Sequence, residues 1–200
     1  MAEHPVIDVV DDDESVAVAC RFLLEGYGYG VAYWPSGEAF LAEADLHRYG
    51  CVILDVRMPG LEGDAVQREL VKRRSTLGVI MLTGHGEIGM AVEAMKHGAV
   101  DFLQKPIAGR ELSQAVRSAL THSQALKTRH DVRARVAQLS ERERQVAERV
   151  SAGLTNREIA EQLHLAVRTI EVHRASAMRK LRADGTVELA KLWQLATDAD

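Results

Sequence analysis

Through the front part of the chain, short apolar runs alternate with stretches whose apolar positions recur at every third and fourth residue. The runs at 6–10, 30–33, 51–54, 79–82 and 100–103 read as strands, and 15–25, 37–44, 63–73, 88–97 and 109–121 as helices. Strands that are apolar throughout are buried on both faces. Regular alternation with helices therefore predicts an α/β fold, a doubly wound five-stranded parallel sheet of flavodoxin-like type. Ligands in such folds bind beyond the carboxyl ends of the strands.

From residue 139 onward the strand pattern stops, and short helices follow, giving an all-α tail. Two of them open with capping boxes, Ser140 with Glu143 and Thr155 with Glu158, and Gly153 is placed to end the first. Between the two patterns, 123–138 holds Lys127, Arg129, Arg133 and Arg135 and neither Gly nor Pro, which predicts a helical charged connector. The expected organisation is residues 1–122, a linker 123–138, and a helical domain 139–200.

Charge supports that division. The 200 residues sum to −4, but residues 1–122 carry 18 acidic and 11 basic side chains while 123–200 carry 11 and 14. An acidic front and a basic back suit different partners. Cys20 and Cys51 are too few for a disulfide framework and read as small core residues of a reducing compartment. The start, MAEHPVIDVV, lacks the basic region of a signal peptide, and no apolar run approaches the ~18 residues of a membrane span. A soluble cytoplasmic protein is expected.

The chemistry gathers at the strand ends. Asp11 and Asp12 follow the first strand, Asp55 ends the third, Thr83 the fourth and Lys105 the fifth, all at one edge of a parallel sheet. Converging carboxylates repel unless a cation holds them or one stays protonated. Their hard oxygens suit Mg²⁺, and a hydroxyl and an ammonium nearby suit a phosphoryl group in transfer. Taken singly, an Asp after a strand is more often a helix cap, the reading kept for Asp13 and Glu14.

The strings VVDDDESV, ILDVRMPG, LTGHG and VDFLQKP resemble the receiver domain of two-component response regulators over residues 4–122. That resemblance implies Asp55 as phosphoacceptor for a partner histidine kinase, and Mg²⁺ held by Asp11, Asp12, Asp55 and the carbonyl of Arg57. It also implies Thr83 and Lys105 on the phosphoryl oxygens, a cis Lys105–Pro106 bond, and Phe102 at an aromatic switch position. Phe102 reads equally well as a plain core residue. Where relatives often carry proline, this chain has Gly89, which should loosen the start of that helix.

The strings LSERERQV, NREIAEQL, VRTIEVHRA and RKL are similar to the LuxR/NarL-type helix-turn-helix. On a helix from 167 to 181, helical spacing puts Val167, Ile170, Ala177, Met178 and Leu181 on a core stripe, with Arg174 inside it. Arg168, Glu171, Val172, Ala175, Arg179 and Arg182 fall opposite, a face suited to the major groove. The resemblance implies double-stranded promoter DNA as partner. Its contacts would be Arg168, Thr169, Glu171, Val172, His173, Ala175, Arg179 and Lys180, with Arg174 reaching at most a phosphate. The helix 187–195, with Leu189, Leu192 and Trp193, reads as a dimer contact by analogy or as core packing.

CRFLLEGYGY, STLGVIMLTGHG and AVRTIEVHRA are similar to the FixJ branch of the FixJ/NarL family and, within it, to regulators of tetrathionate respiration. The implied protein is no enzyme. It is phosphorylated, forms a homodimer, and activates transcription with RNA polymerase at an anaerobic-respiration operon. A rival is an aspartyl-phosphate hydrolase of the haloacid dehalogenase type, which needs a second Asp two residues after the nucleophile. Arg57 stands there instead. A third reading is a DNA-binding regulator whose receiver is a relic.

Overall fold

The computed structural model describes residues 5–84 and 88–198, and the chain divides into two compact units, Met1–Lys127 and Thr128–Asp200. In the first, β1 (Val6–Val10), β2 (Gly30–Trp34), β3 (Cys51–Asp55), β4 (Gly78–Thr83) and β5 (Asp101–Gln104) form one parallel sheet in the order β2-β1-β3-β4-β5. Helices α1 (Glu14–Glu25), α2 (Gly37–Glu43), α3 (Gly63–Lys72), α4 (Ile88–Lys96) and α5 (Gly109–Ala137) connect and follow the strands.

The strand pleat sends alternate residues into two core layers. Ile7, Val9, Cys51, Ile53, Ile80 and Leu82 pack with Cys20 and Leu24 of α1 and Leu112 and Val116 of α5. Val10, Val52, Leu54, Val79 and Met81 pack with Phe40 of α2 and Val66 and Leu70 of α3. The central strands β3 and β4 are buried on both faces, which is why they read as near-continuous apolar runs. The observed strands extend past those runs because the polar residues at their ends stay in the ladder, with Asp55 opposite Leu82 and Thr83 opposite Gln104.

One polar residue inside a strand escaped the sequence reading. Asp8, in the middle of β1, is buried, accepts the Trp34 indole N–H at 3.0 Å, and is paired with the Arg48 guanidinium. A buried carboxylate needs such partners. Burial, the main influence on it, still holds its pKa above the ordinary value against the pull of Arg48.

Helix α5 runs on well past residue 121. No Gly or Pro interrupts it, and the stretch expected as linker is taken up at both ends. Ser123 is fully buried and accepts the Gly50 amide at 3.1 Å. Arg135 donates to the Leu181 carbonyl at 2.7 Å and Arg133 to the Ala196 carbonyl at 3.1 Å, inside the second unit.

The second unit adds α6 (Glu141–Ser151), α7 (Asn156–Leu163), α8 (Val167–Leu181) and α9 (Thr186–Thr197). Both expected capping boxes form. The core is built from Val146, Ala147, Val150, Ile159, Ile170, Ala177, Leu181, Leu189 and Trp193. Leu189 and Trp193 of the last helix are thus core residues, with Leu192 packed partly against them.

A candidate acidic site and a candidate nucleic-acid interface

β1 delivers Asp11 and β3 delivers Asp55 to the carboxyl edge of the sheet, side by side because those strands are neighbours. The Asp11 amide is fixed by the Trp34 carbonyl at 3.2 Å, continuing the β1–β2 ladder. Asp11 and Asp55 are buried while Asp12 is exposed, and one carboxylate oxygen from each lies within 4.8 Å of the other two. Asp13 instead caps α1, its carboxylate accepting the Ser15 amide at 2.9 Å, and Glu14 is the first residue of that helix.

Lys105 closes the pocket from β5. Its Nζ lies 2.6 Å from Asp11 Oδ2 and 3.1 Å from Asp55 Oδ1. Its own amide donates to the Thr83 carbonyl at 2.7 Å, which ties the β4 and β5 ends together. The Lys105–Pro106 bond is cis. Burial works against the Lys105 charge, but the hydrogen bond and charge of Asp11, then Asp55, outweigh it and raise its pKa. Asp55 is pushed up by burial first and by Asp11 next, with Lys105 pulling the other way. Two like charges in one dry site produce that tension, and a cation relieves it.

Thr83 is buried at the end of β4, and Phe102 is half-buried against the second core layer, as is Met90 of α4. Arg57 is exposed just beyond β3. Of the LTGHG string, His85 and Gly86 lie outside the described residues, as does Glu87 after it. The donor set fits a hard divalent cation: three carboxylate oxygens, one of them exposed, leave room for the waters Mg²⁺ retains.

Two glycines frame this edge in different ways. A Cβ on Gly63 would lie 2.1 Å from the Asp55 carbonyl oxygen, so only glycine lets α3 begin against the end of β3. Gly63→Ala is expected to displace Asp55 and slow its labelling by a small phosphodonor about tenfold, the cost of a slight misplacement of reacting groups. Rapid-quench labelling at wild-type rate would refute this. At Gly89 a Cβ would meet nothing within 4 Å, so packing does not demand glycine there. Its freedom should show as amide exchange over the start of α4, residues 88–92, that slows on phosphorylation, and equal protection in both states would count against it.

In the tail, α8 presents the expected face. Arg168, Glu171, Val172, Ala175, Arg179 and Arg182 are exposed, with Val172 at 57%. Thr169 and His173 are half-buried beside them. Arg168 pairs with Glu171 at 3.1 Å. On the inner side, Ile170, Ala177 and Leu181 are buried and Met178 partly so, whereas Val167 is 41% exposed. Val167 is the first residue of α8, and just before it Leu163 and Leu165 are packed partly against the core.

Arg174 is held within the domain, its guanidinium donating to Asn156 Oδ1 at 2.7 Å and to the Thr186 hydroxyl. Lys180 points away from the exposed face as well, bonding Glu143 Oε2 at 2.6 Å. Glu143 also accepts from the Ser176 hydroxyl at 2.7 Å and the Ser140 amide at 2.7 Å. Burial alone would raise its pKa, but these donors, Lys180 foremost, bring it down to about 2. The capping box was legible in the sequence. The second use of Glu143, as an acceptor for α8, carried no sequence signal.

An acidic phosphoacceptor-type pocket on a parallel sheet, followed by a helical tail with a basic exposed helix, defines a transcriptional response regulator. Comparison with known proteins agrees. Residues 7–117 match the response regulator receiver domain, and residues 137–193 match the luxR family of bacterial regulatory proteins. The tetrathionate response regulatory protein TtrR of Salmonella typhimurium is 48% identical over 188 residues, covering 94% of this chain and 91% of that protein. The transcriptional regulatory protein FixJ of Bradyrhizobium diazoefficiens is 43% identical over 190 residues, 93% of each. Among solved structures, full-length FixJ from B. japonicum aligns over 98% of both chains at 39% identity and a TM-score of 0.55. The response regulator StyR aligns over 94% of this chain and 98% of its own at 35% identity and a TM-score of 0.69.

The chain belongs to the FixJ/NarL-type two-component response regulators, a family of non-enzymatic transcription regulators. A receiver domain implies a histidine kinase partner, and a LuxR-type domain implies DNA binding. Among the described residues no helix is long and apolar enough to cross a membrane.

Proposed function

We propose that Asp55 takes a phosphoryl group from the phosphohistidine of a sensor kinase, and that this makes the chain dimerise and activate transcription from promoter DNA. A carboxylate oxygen of Asp55 attacks phosphorus, the phosphorus–nitrogen bond breaks, and the imidazole leaves with its electron pair. Asp11, Asp12, Asp55 and the Arg57 carbonyl would hold Mg²⁺, which supplies charge neutralisation when bound. Lys105 orients Asp55 beforehand and neutralises an oxygen of the arriving group, and the Thr83 hydroxyl takes another. The phosphoryl group selects the arrangement of this edge in which both contacts form, and Phe102 follows that arrangement.

The observation that carries the reading is the Lys105 ammonium shared between Asp11 and Asp55 at 2.6 and 3.1 Å. With Arg57 where a hydrolase would need a general acid, the acyl phosphate persists as a signal. Dimerisation places two tails on inverted half-sites, and the second binds at high effective concentration. Arg168, Thr169, Glu171, Val172, Ala175 and Arg179 meet the major groove, with His173 at its side. RNA polymerase is the final partner, and the cytoplasm the place of action.

Similarity to TtrR supports a tetrathionate-reductase operon as target. Mapping chromosomal binding sites with and without tetrathionate tests this. Occupancy upstream of reductase genes only when tetrathionate is present is the expected result, and occupancy elsewhere, unaffected by tetrathionate, would overturn the pathway assignment.

A further inference from the structure

Lys180 lies in a basic segment, 167–182, with five basic side chains against one acidic, yet its charge is spent inside the domain. Its Nζ bonds Glu143 Oε2 at 2.6 Å and the Gln138 carbonyl at 3.3 Å. One turn earlier on the same helix, the Ser176 hydroxyl donates to Glu143 Oε1 at 2.7 Å. Both carboxylate oxygens are therefore gripped from α8, and Oε2 also accepts the Ser140 amide at 2.7 Å. The Glu143 side chain is only 8% exposed, against 35% for Lys180.

Two contacts spaced four residues apart on one helix fix its rotation as well as its position. They run from α8 to the amino-terminal turn of α6, where Glu143 is the third residue of a capped helix. An acid placed there is favoured by the helix dipole and cannot shift without breaking the cap. Rotating α8 enough to bring Lys180 to a phosphate would leave a buried carboxylate without its cation, a large penalty. The same brace keeps neighbouring Arg179 outward, its guanidinium resting 3.3 Å from the Ser176 hydroxyl.

We infer that Lys180 is no phosphate contact, and that Glu143, gripping Lys180 and Ser176, is a positioning residue that sets the rotation of α8 toward DNA. This rests on the reading of α8 as the DNA-reading helix. The positive charge that reaches phosphate is then carried by Arg168, Arg179 and Arg182.

The test is the salt dependence of binding by the full chain, treated with Mg²⁺ and a small phosphodonor, to a mixed-sequence duplex several helical turns long. Each phosphate contact contributes about 0.9 to the slope of log K against log salt. Lys180→Met is expected to weaken binding about tenfold or more by leaving Glu143 unpaired, with the wild-type slope retained. Lys180→Met with Glu143→Gln removes the charges together while keeping an acceptor for Ser140 or Ser176. This double variant should recover most of the lost affinity, again at the wild-type slope. Arg179→Gln should instead lower the slope by about one contact per subunit.

A slope lowered by one contact in the double variant, with affinity unrecovered, would overturn the inference and restore Lys180 as a phosphate anchor. Because the double variant carries no buried unpaired charge, it decides the matter even where Lys180→Met unfolds, with circular dichroism establishing that the tail is helical. Absence of binding by the wild-type chain would defeat the DNA-binding reading itself, a result distinct from either slope.

Discussion

Asp55→Asn is expected to abolish phosphodonor-dependent dimerisation and promoter binding while making the metal-free protein more stable. Asparagine fills the same space, but its amide has no carboxylate oxygen to attack phosphorus. The stability gain follows from the sign of the shift. Burial and Asp11 raise the Asp55 pKa in the folded chain, so ionised Asp55 destabilises the fold. That penalty is fully present at pH values above the raised folded pKa and is relieved as pH falls through it, where the folded state takes up the proton first. Asparagine removes the charge at every pH, so the variant is expected to be more stable than wild type at neutral pH, with the difference shrinking as pH falls. Denaturant unfolding in chelator, beside sizing chromatography with a small phosphodonor, measures both halves. If wild type and variant bind promoter DNA equally, with and without phosphodonor, the receiver is a relic and the switch reading falls.

Why so much of the receiver was visible in sequence is a matter of topology. In a parallel sheet every strand ends at the same edge, so residues that follow apolar runs are brought together whatever the loops do. Asp11, Asp55, Thr83 and Lys105 needed only strand boundaries to be grouped. Asp8 was hidden for the complementary reason. It lies inside a run whose neighbours are apolar, and its partners Trp34 and Arg48 come from 26 and 40 residues away. The tail shows the same contrast. Capping boxes are local and legible, but helical periodicity could say only which side of α8 Lys180 occupies, not that Glu143 across the domain claims its charge. Val167 failed as a core position because periodicity ignores ends: at the first residue of a helix the preceding loop can supply the core instead. Residues 123–137 are the continuation of α5, and charge composition gave no hint that Ser123, Arg133 and Arg135 each fasten to one of the two units.

Lys105→Met is expected to uncouple the pocket in a way that Mg²⁺ partly repairs. In the wild type the ammonium bonds buried Asp11 and lies against Asp55, so it offsets the repulsion that would otherwise raise both carboxylates in energy. Methionine keeps the apolar stem and removes the charge. A buried carboxylate that loses its charged donor costs about 2–3 kcal/mol, and in chelator the variant should be less stable than wild type by roughly that amount. The ammonium and a divalent cation compete for the same oxygens, so removing the first should tighten binding of the second. A cation that binds only the folded chain adds stability that grows with its concentration over its dissociation constant. The variant should therefore gain more from added Mg²⁺ than wild type does, and the gap seen in chelator should narrow. Phosphorylation need not vanish, because Asp55 keeps its nucleophilic oxygen. The response to it should, because no cation remains on β5 to draw that edge onto the phosphoryl group. Equal Mg²⁺ stabilisation of wild type and variant would show that Lys105 and the cation do not share Asp11 and Asp55. A variant that still dimerises on phosphorylation would remove Lys105 from the switch.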